Sequence, residues 1–272
     1  MIKLHHFSFC LVLGISSVAV GVGLPSLNQK APADQGVLGQ PQFDSSMSNY
    51  QAEKNPMAIR DFPMELPAQL VAAAHNDATG EKQYHLAQLY RGGTSLIQFD
   101  PLKSDAWLSE AEEKGYGEAL FERGMQMKDH YDFLSQEEAV SLFARAAKQG
   151  HANAQYELAS AYFNGVVLDQ DFDAAHYWFT KASEKGVTEA TFALGVMHQL
   201  GKGVPMSADV AMNYFKAASE DNHAMSQYLL GMGYYTGVGV DRNFSAAKSL
   251  FHRSMMGGNP EAAKVLQSIG IT

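Results

Sequence analysis

Ten histidines, one Ser-x-x-Lys tetrad and two Gly-x-Gly turns are the features of this chain that could carry chemistry. A zinc site on a helix needs two histidines at i and i+4 with a carboxylate nearby, so that both imidazoles leave the same face. His75, His151, His176, His198, His223 and His252 form no such pair and are read as falling at different positions of the chain's repeating units, so they read as surface or turn residues. Ser245-Ala246-Ala247-Lys248 has the spacing of an acylatable serine beside a lysine base, but no Ser-Asp-Asn or Lys-Thr-Gly partner exists elsewhere. Gly201-Lys202-Gly203 and Gly237-Val238-Gly239 join helix to helix and lack the preceding strand of a dinucleotide loop. There is no Gly-x-Ser-x-Gly and no His-Glu-x-x-His, and the single cysteine, Cys10, lies in an N-terminal apolar run. The chain is therefore expected to be non-catalytic, with no cofactor and no metal.

The elements that would position any binding residue recur with a period of 36 residues. Gln155-Tyr156-Glu157-Leu158-Ala159 returns 72 residues later as Gln227-Tyr228-Leu229-Leu230-Gly231, and stands 72 residues earlier as Gln83-Tyr84-His85-Leu86-Ala87. A fixed period in this range marks a solenoid, in which each unit buries its apolar face against its neighbours. The spacing predicts an all-α architecture, an α/α solenoid of about five helix-turn-helix repeats near 82–118, 119–153, 154–189, 190–225 and 226–261, followed by a closing helix. A helical stretch within 63–81, rich in alanine, aligns with the second half of a repeat and serves as the N-terminal cap.

Within a unit, Leu158, Ala159 and Tyr162 share one face of the first helix, and the small residue allows a neighbouring helix to come close. That helix ends at a glycine: Gly93, Gly165, Gly201 and Gly237. A second glycine, Gly203 or Gly239, lets the chain take positive φ and reverse. Asp171, Ser207 and Asn243 then stand where the second helix needs an N-cap. That helix carries Ala175/Ala211/Ala247 and Phe179/Phe215/Phe251, and it stops at Gly150, Gly186 and Gly258, with Asn222 in the equivalent place.

Ala154…Leu158-Ala159…Tyr162…Gly165, then Ala175…Trp178-Phe179…Lys181-Ala182…Gly186, resemble Sel1-like repeats, relatives of the tetratricopeptide repeats. The resemblance covers about seven-tenths of the chain, from Lys82 to Ile269. The second repeat departs from it at Lys128-Asp129-His130-Tyr131-Asp132, where the turn has no glycine, and the third has Val167 in place of the second glycine. The paired cysteines of a disulfide-stapled subgroup are absent. The resemblance implies a protein-interaction scaffold, and many exported bacterial members act at the envelope.

Composition agrees with a binding protein. The net charge of −9 argues against nucleic acid, or an anionic membrane surface, as the main partner. Met1–His6 is weakly basic and the run 7–24 is uncharged, with small-x-small pairs from Ser17 to Gly23 before Pro25. These are the parts of a signal peptide, and the alternative is an uncleaved anchor, the only route by which the chain would meet a membrane. Residues 25–62, rich in Pro, Gln, Ser and Asn, read as a flexible linker. The expected location is the periplasm or outside the cell, or an inner-membrane anchor facing the periplasm.

The residues that the repeat does not specify are the candidates for binding. Three and six positions after each repeat start they are His85/Gln88, Glu122/Met125, Glu157/Ser160, Ala193/Val196 and Leu229/Met232. The first three pairs are largely polar, the last two apolar, and Met197 and Leu200 extend the apolar group. On a concave solenoid face Ala193, Val196, Met197, Leu200, Leu229 and Met232 would form an exposed strip for a protein or peptide ligand. A polysaccharide-associated envelope scaffold is the alternative, with Phe163 and Tyr235 available for sugar stacking, and a hydrolase of β-lactamase type comes last.

Overall fold

The computed structural model describes residues 68–269, apart from 94–96 and 130–131. The expected signal segment (1–24), linker (25–62) and the first part of the N-terminal cap (63–67) lie outside the described residues. The described ones all belong to one unit, Ile59–Thr272.

Among them every regular element is a helix. A short leading helix, α1 (Ala68–His75), precedes five antiparallel pairs: α2 (Glu81–Gly92) with α3 (Pro101–Glu113), α4 (Gly117–Lys128) with α5 (Phe133–Lys148), α6 (Ala152–Asn164) with α7 (Phe172–Glu184), α8 (Thr188–Leu200) with α9 (Ala208–Glu220), and α10 (Ala224–Thr236) with α11 (Phe244–Met256). The closing helix is α12 (Pro260–Ser268). The chain is thus an α/α solenoid in which each helix packs on the one before and the one after it. The even-numbered helices are the first, or A, helices of the repeats and the odd-numbered ones from α3 are the B helices.

In the second to fifth pairs a small A-helix residue packs against a B-helix phenylalanine, and in the first pair Ala87 shares a core with Leu108 instead. A Cβ placed on Gly124, Gly195 or Gly231 would lie 2.6–2.8 Å from a ring carbon of Phe143, Phe215 or Phe251. In the third repeat Ala159 and Phe179, both fully buried, occupy these places. The three phenylalanines Phe179, Phe215 and Phe251 are the largest side chains with no exposure at all. Burying each contributes roughly 1.5–3 kcal/mol.

Turn chemistry accounts for the chain reversals. Asp100, Asp132, Asp171, Ser207 and Asn243 each accept, through the side chain, a backbone N–H of the B helix they start. The backbone N–H of Asp171, Ser207 and Asn243 also donates back to the A-helix carbonyl of Tyr162, His198 and Tyr234, which closes the A-to-B turn. Gly165, Gly201 and Gly237 end their A helices in the left-handed region. Gly93 also has positive φ but extends away (ψ 160°), and the second repeat, without a glycine, ends α4 on Asp129 in the right-handed region. In the B-to-A turns Gly115, Gly150, Gly186 and Gly258 have φ between +78° and +89°, and Asn222, at +63°, is the one non-glycine residue among those described that does the same. A helices begin one or two residues ahead of the expected repeat starts, because the cap lies before the first small residue rather than on it.

Glutamines and histidines of the repeat have structural tasks as well. Buried Gln83, Gln155 and Gln227 donate Nε2 to the carbonyls of Ala74, Ala147 and Ser219, at the end of the preceding B helix. His151 and His223, read from the sequence as unrelated, are 72 residues apart and occupy the same position. Each caps the next A helix by accepting a backbone N–H at Nδ1, from Ala154 at 3.1 Å and from Ser226 at 3.2 Å. The rings are seated on Phe121 and Phe192.

Two predictions follow from this geometry. Gly186 and Gly239 both have positive φ, but a Cβ on Gly186 meets nothing within 4 Å, whereas one on Gly239 would lie 2.6 Å from the Ala208 carbonyl oxygen in the preceding repeat. Gly186→Ala should therefore cost about 1 kcal/mol from backbone strain alone. Gly239→Ala should cost at least about 1 kcal/mol more, because backbone must move. Equal losses in denaturant unfolding would show that the turn does not brace the preceding repeat.

The second concerns pH. Burial pushes the His223 imidazole below its ordinary 6.5, with the Glu189 charge opposing more weakly. The folded chain therefore resists protonation more than the unfolded one does, so stability is full above 6.5 and falls as pH drops below it. A protonated ring also cannot accept the Ser226 N–H and places positive charge on a helix N-terminus. Asparagine caps without titrating. The drop in melting temperature between about pH 7.5 and about pH 5.5 should shrink in His223→Asn. A drop as large as that of the unaltered chain would remove His223 from the account.

Candidate interaction surface

The apolar strip expected on the A helices is largely closed. Ala193, Val196, Met197 and Leu229 are all buried, none more than 7 % exposed. Ala193 and Met197 belong to the core that joins the third and fourth repeats, among Phe179, Ala182, Val187 and Leu194. Met232 is half-buried against Phe251 and Leu266 of the closing layer. Of the six, Leu200 alone stands out, at 44 % exposure. The exposed strip is thus corrected to a stretch of core. In α8 every residue from Phe192 to Met197 is buried, so the middle of this helix is apolar all round because it is covered all round.

At the corresponding positions of the first repeats the A helices are linked by polar side chains. Glu122 on α4 accepts from Gln88 of α2 and pairs with Arg91. Lys128 on α4 reaches Glu157 on α6 at 2.6 Å. These groups satisfy one another across neighbouring repeats, so the polar half of the face is also occupied. Phe163 and Tyr235 are engaged too, their rings meeting Phe172 and Phe244 edge-on at 5.5 Å. Neither is a free platform for a sugar.

No group of three or more His, Cys, Asp or Glu among the described residues could hold a metal ion. His176 and His198 approach each other, ring centroids 6.2 Å apart, and His198 stacks on Tyr214. Burial and then the neighbouring His198 keep the His176 imidazole below its ordinary value. Ser245 and Lys248, the tetrad singled out above, are both exposed at the start of α11.

The two edges of the solenoid differ. Along the B-to-A turns, a side chain at the end of each of four B helices donates to a carbonyl at the end of the preceding one or in its turn: Lys114 to Asp77, Gln149 to Gly115, Lys185 to Gly150 and Arg253 to Ser219. This edge is stitched by hydrogen bonds. The A-to-B edge instead exposes apolar side chains on every repeat. The first contributes Phe99 and Leu102 (82 %), the second Phe133 and Leu134 (75 %), the third Val166. The fourth contributes Leu200, Met206 (75 %) and Val210, the fifth Val238 and Phe244. Ten of the fourteen large apolar side chains exposed among the described residues lie here, too many on one edge for scattered surface apolars.

Successive turns on this edge touch. A Cβ on Gly203 would meet Phe172, the first residue of the preceding B helix, and one on Gly239 would meet Ala208 in the same way. Between the third and fourth turns is an open cleft of about 610 Å³, lined by Tyr162, Leu168 and Phe172 with Asp169, Asp171 and Asp173, and bounded by Gly203. Except for Leu200, the apolar residues of this edge are not among the binding positions expected from the repeat pattern. The available signal was valine, methionine or phenylalanine at turn positions where polar residues usually stand.

Sel1 repeat models match residues 83–116, 133–151, 152–187, 188–223 and 224–259. The solved structure of a Sel1 repeat protein from Oxalobacter formigenes is similar over 76% of this chain and 79% of that one, at 23% identity and a TM-score of 0.64. A protective antigen present in uropathogenic Escherichia coli strains, displaying an SLR fold, is similar over 76% of this chain and 53% of its own, at 22% identity and a TM-score of 0.54. No curated protein matches the sequence. At such identities the structural likeness speaks for the fold, and it agrees with the repeat models, which cover more than half of the chain. The chain therefore belongs to the Sel1 repeat family.

Proposed function

We propose that this chain is an exported, non-catalytic adaptor that binds a protein or peptide partner. Sel1 repeat proteins generally bind protein partners. The observation that carries the reading is the A-to-B edge, where all five repeats expose apolar side chains and the turns of the third to fifth repeats pack against one another. A continuous apolar row of this kind suits a partner spanning several repeats. Leu200 is common to this edge and to the strip first expected on the A helices, so it is the position from which to test binding.

Export rests on the uncharged run 7–24 and the small residues at its end. The periplasm or the exterior is the proposed location. N-terminal sequencing of the mature protein should give a start between Val20 and Pro25. An intact Met1 on a membrane-bound chain would establish the anchor instead.

Burial separates folding from binding in the variants. Val196→Asp and Leu229→Asp place a charge in the core and should lower the melting temperature sharply, by several kcal/mol in stability. Leu200→Asp and Met206→Asp, both at exposed positions, should leave melting within about 0.5 kcal/mol of the unaltered chain. Affinity capture from an envelope fraction should recover a protein that the double variant Leu200→Asp/Met206→Asp fails to retain. Recovery of the same proteins by both would move binding off this edge, and capture of none would count against the adaptor reading.

A further inference from the structure

We propose that the A-to-B edge of the third to fifth repeats docks a cationic amphipathic segment of a partner protein. The apolar side of that segment would lie on Val166, Met206, Val238 and Phe244, and its lysines or arginines would reach Asp169, Asp209 and Asp241. The proposal rests on the adaptor reading and adds the chemistry of the partner.

The turns and first helical residues of this stretch, 165–173, 201–210 and 237–244, contain five aspartates (169, 171, 173, 209, 241) and two cations, Lys202 and Arg242. Five against two leaves a local charge of −3. Both cations lie on rings: Lys202 Nζ is 5.1 Å from the centre of Phe172, and the Arg242 guanidinium 4.9 Å from that of Phe244, with its Nε donating to the Tyr235 carbonyl. They are folded down onto the surface, where their stems and rings enlarge the apolar area. Asp171 is committed to capping α7, but Asp169, Asp209 and Asp241 form no ion pair with any described residue.

Apolar and acidic groups therefore alternate along one edge. The negative field repels anionic lipid headgroups and acidic peptides and attracts a basic segment, while the apolar row supplies the area to hold it. Successive turns in contact, Gly203 on Phe172 and Gly239 on Ala208, make the surface continuous across three repeats. A segment of a partner chain can follow such a row, whereas a compact small molecule would cover one turn.

The test uses the full mature chain and a fluorescently labelled peptide of alternating leucine and lysine, read by anisotropy at physiological salt. Two further peptides exchange lysine for glutamate, or leucine for serine. The leucine–lysine peptide should bind at least about tenfold more tightly than either. Two variants should each weaken it about tenfold or more: Val166→Ser/Met206→Ser/Val238→Ser, and Asp169→Asn/Asp209→Asn/Asp241→Asn. The changes Met255→Ser/Met256→Ser and Glu220→Gln, at exposed positions toward the B-to-A edge, should leave binding unchanged. All positions are on the surface, and unaltered helicity and melting would verify folding. Equal binding of the glutamate peptide overturns the charge argument, and equal weakening by the opposite-edge variants reduces the effect to net charge. Failure of the unaltered chain to bind, with edge-dependent dimers in sedimentation, would assign the surface to a second copy and overturn the proposal. If these results fail while envelope capture still depends on Leu200 and Met206, the adaptor reading stands without this partner chemistry.

Discussion

The structure depends on one close approach, repeated from the second unit to the fifth, between a residue without a large side chain on the A helix and a phenylalanine on the B helix. Where the A-helix residue is glycine, a Cβ in its place would penetrate the ring of Phe143, Phe215 or Phe251. The aromatic ring fills what would otherwise be a gap between two helices, and interiors at close-packed density tolerate neither the gap nor an extra methyl. Once each pair is locked in this way, its outer faces have to be covered by the neighbouring pairs. Stability then accrues along the array, unit by unit, and the leading and closing helices have to shield the ends.

What sits between the units is divided by chemistry. Buried glutamines tie A helices to the carbonyl ends of preceding B helices, and side chains on the B-to-A edge repeat the same task outside the core. These groups satisfy the free carbonyls that every helix leaves at its C-terminus. On the A-to-B edge the glycines and N-caps close the turns mainly through the backbone and short side chains, with Gln170 and Arg242 donating to the carbonyls of Phe163 and Tyr235. It is on this edge that most of the exposed large apolar side chains among the described residues stand.

Histidine shows how a residue type associated with chemistry can be absorbed by the frame. His151 and His223 serve as acceptors for helix N-termini and rest on phenylalanine rings. Their neutral form is the one that the frame uses. At His223, whose imidazole burial keeps below its ordinary value, the cap brings a pH dependence that Asn259 or Val187 at the same place does not.

The architecture was legible in the sequence because it is periodic: the recurrence of leucine, alanine or glycine, tyrosine and terminal glycine at 36 residues encodes pair, turn and stack in local terms. Turn glycines at 201, 203, 237 and 239, the caps at 171, 207 and 243, and the stand-in Asn222 could all be read from residue type, since positive φ and unsatisfied N–H groups are properties of short segments. Exposure could not be read in the same way. Val196 and Val166 are the same residue type, yet one is buried and the other open, because burial is set by neighbours that are far away in sequence. Only the tertiary structure decided that the strip from Ala193 to Leu229 is largely core, and that the free apolar surface runs along the turns, where successive repeats bring residues 36 positions apart side by side.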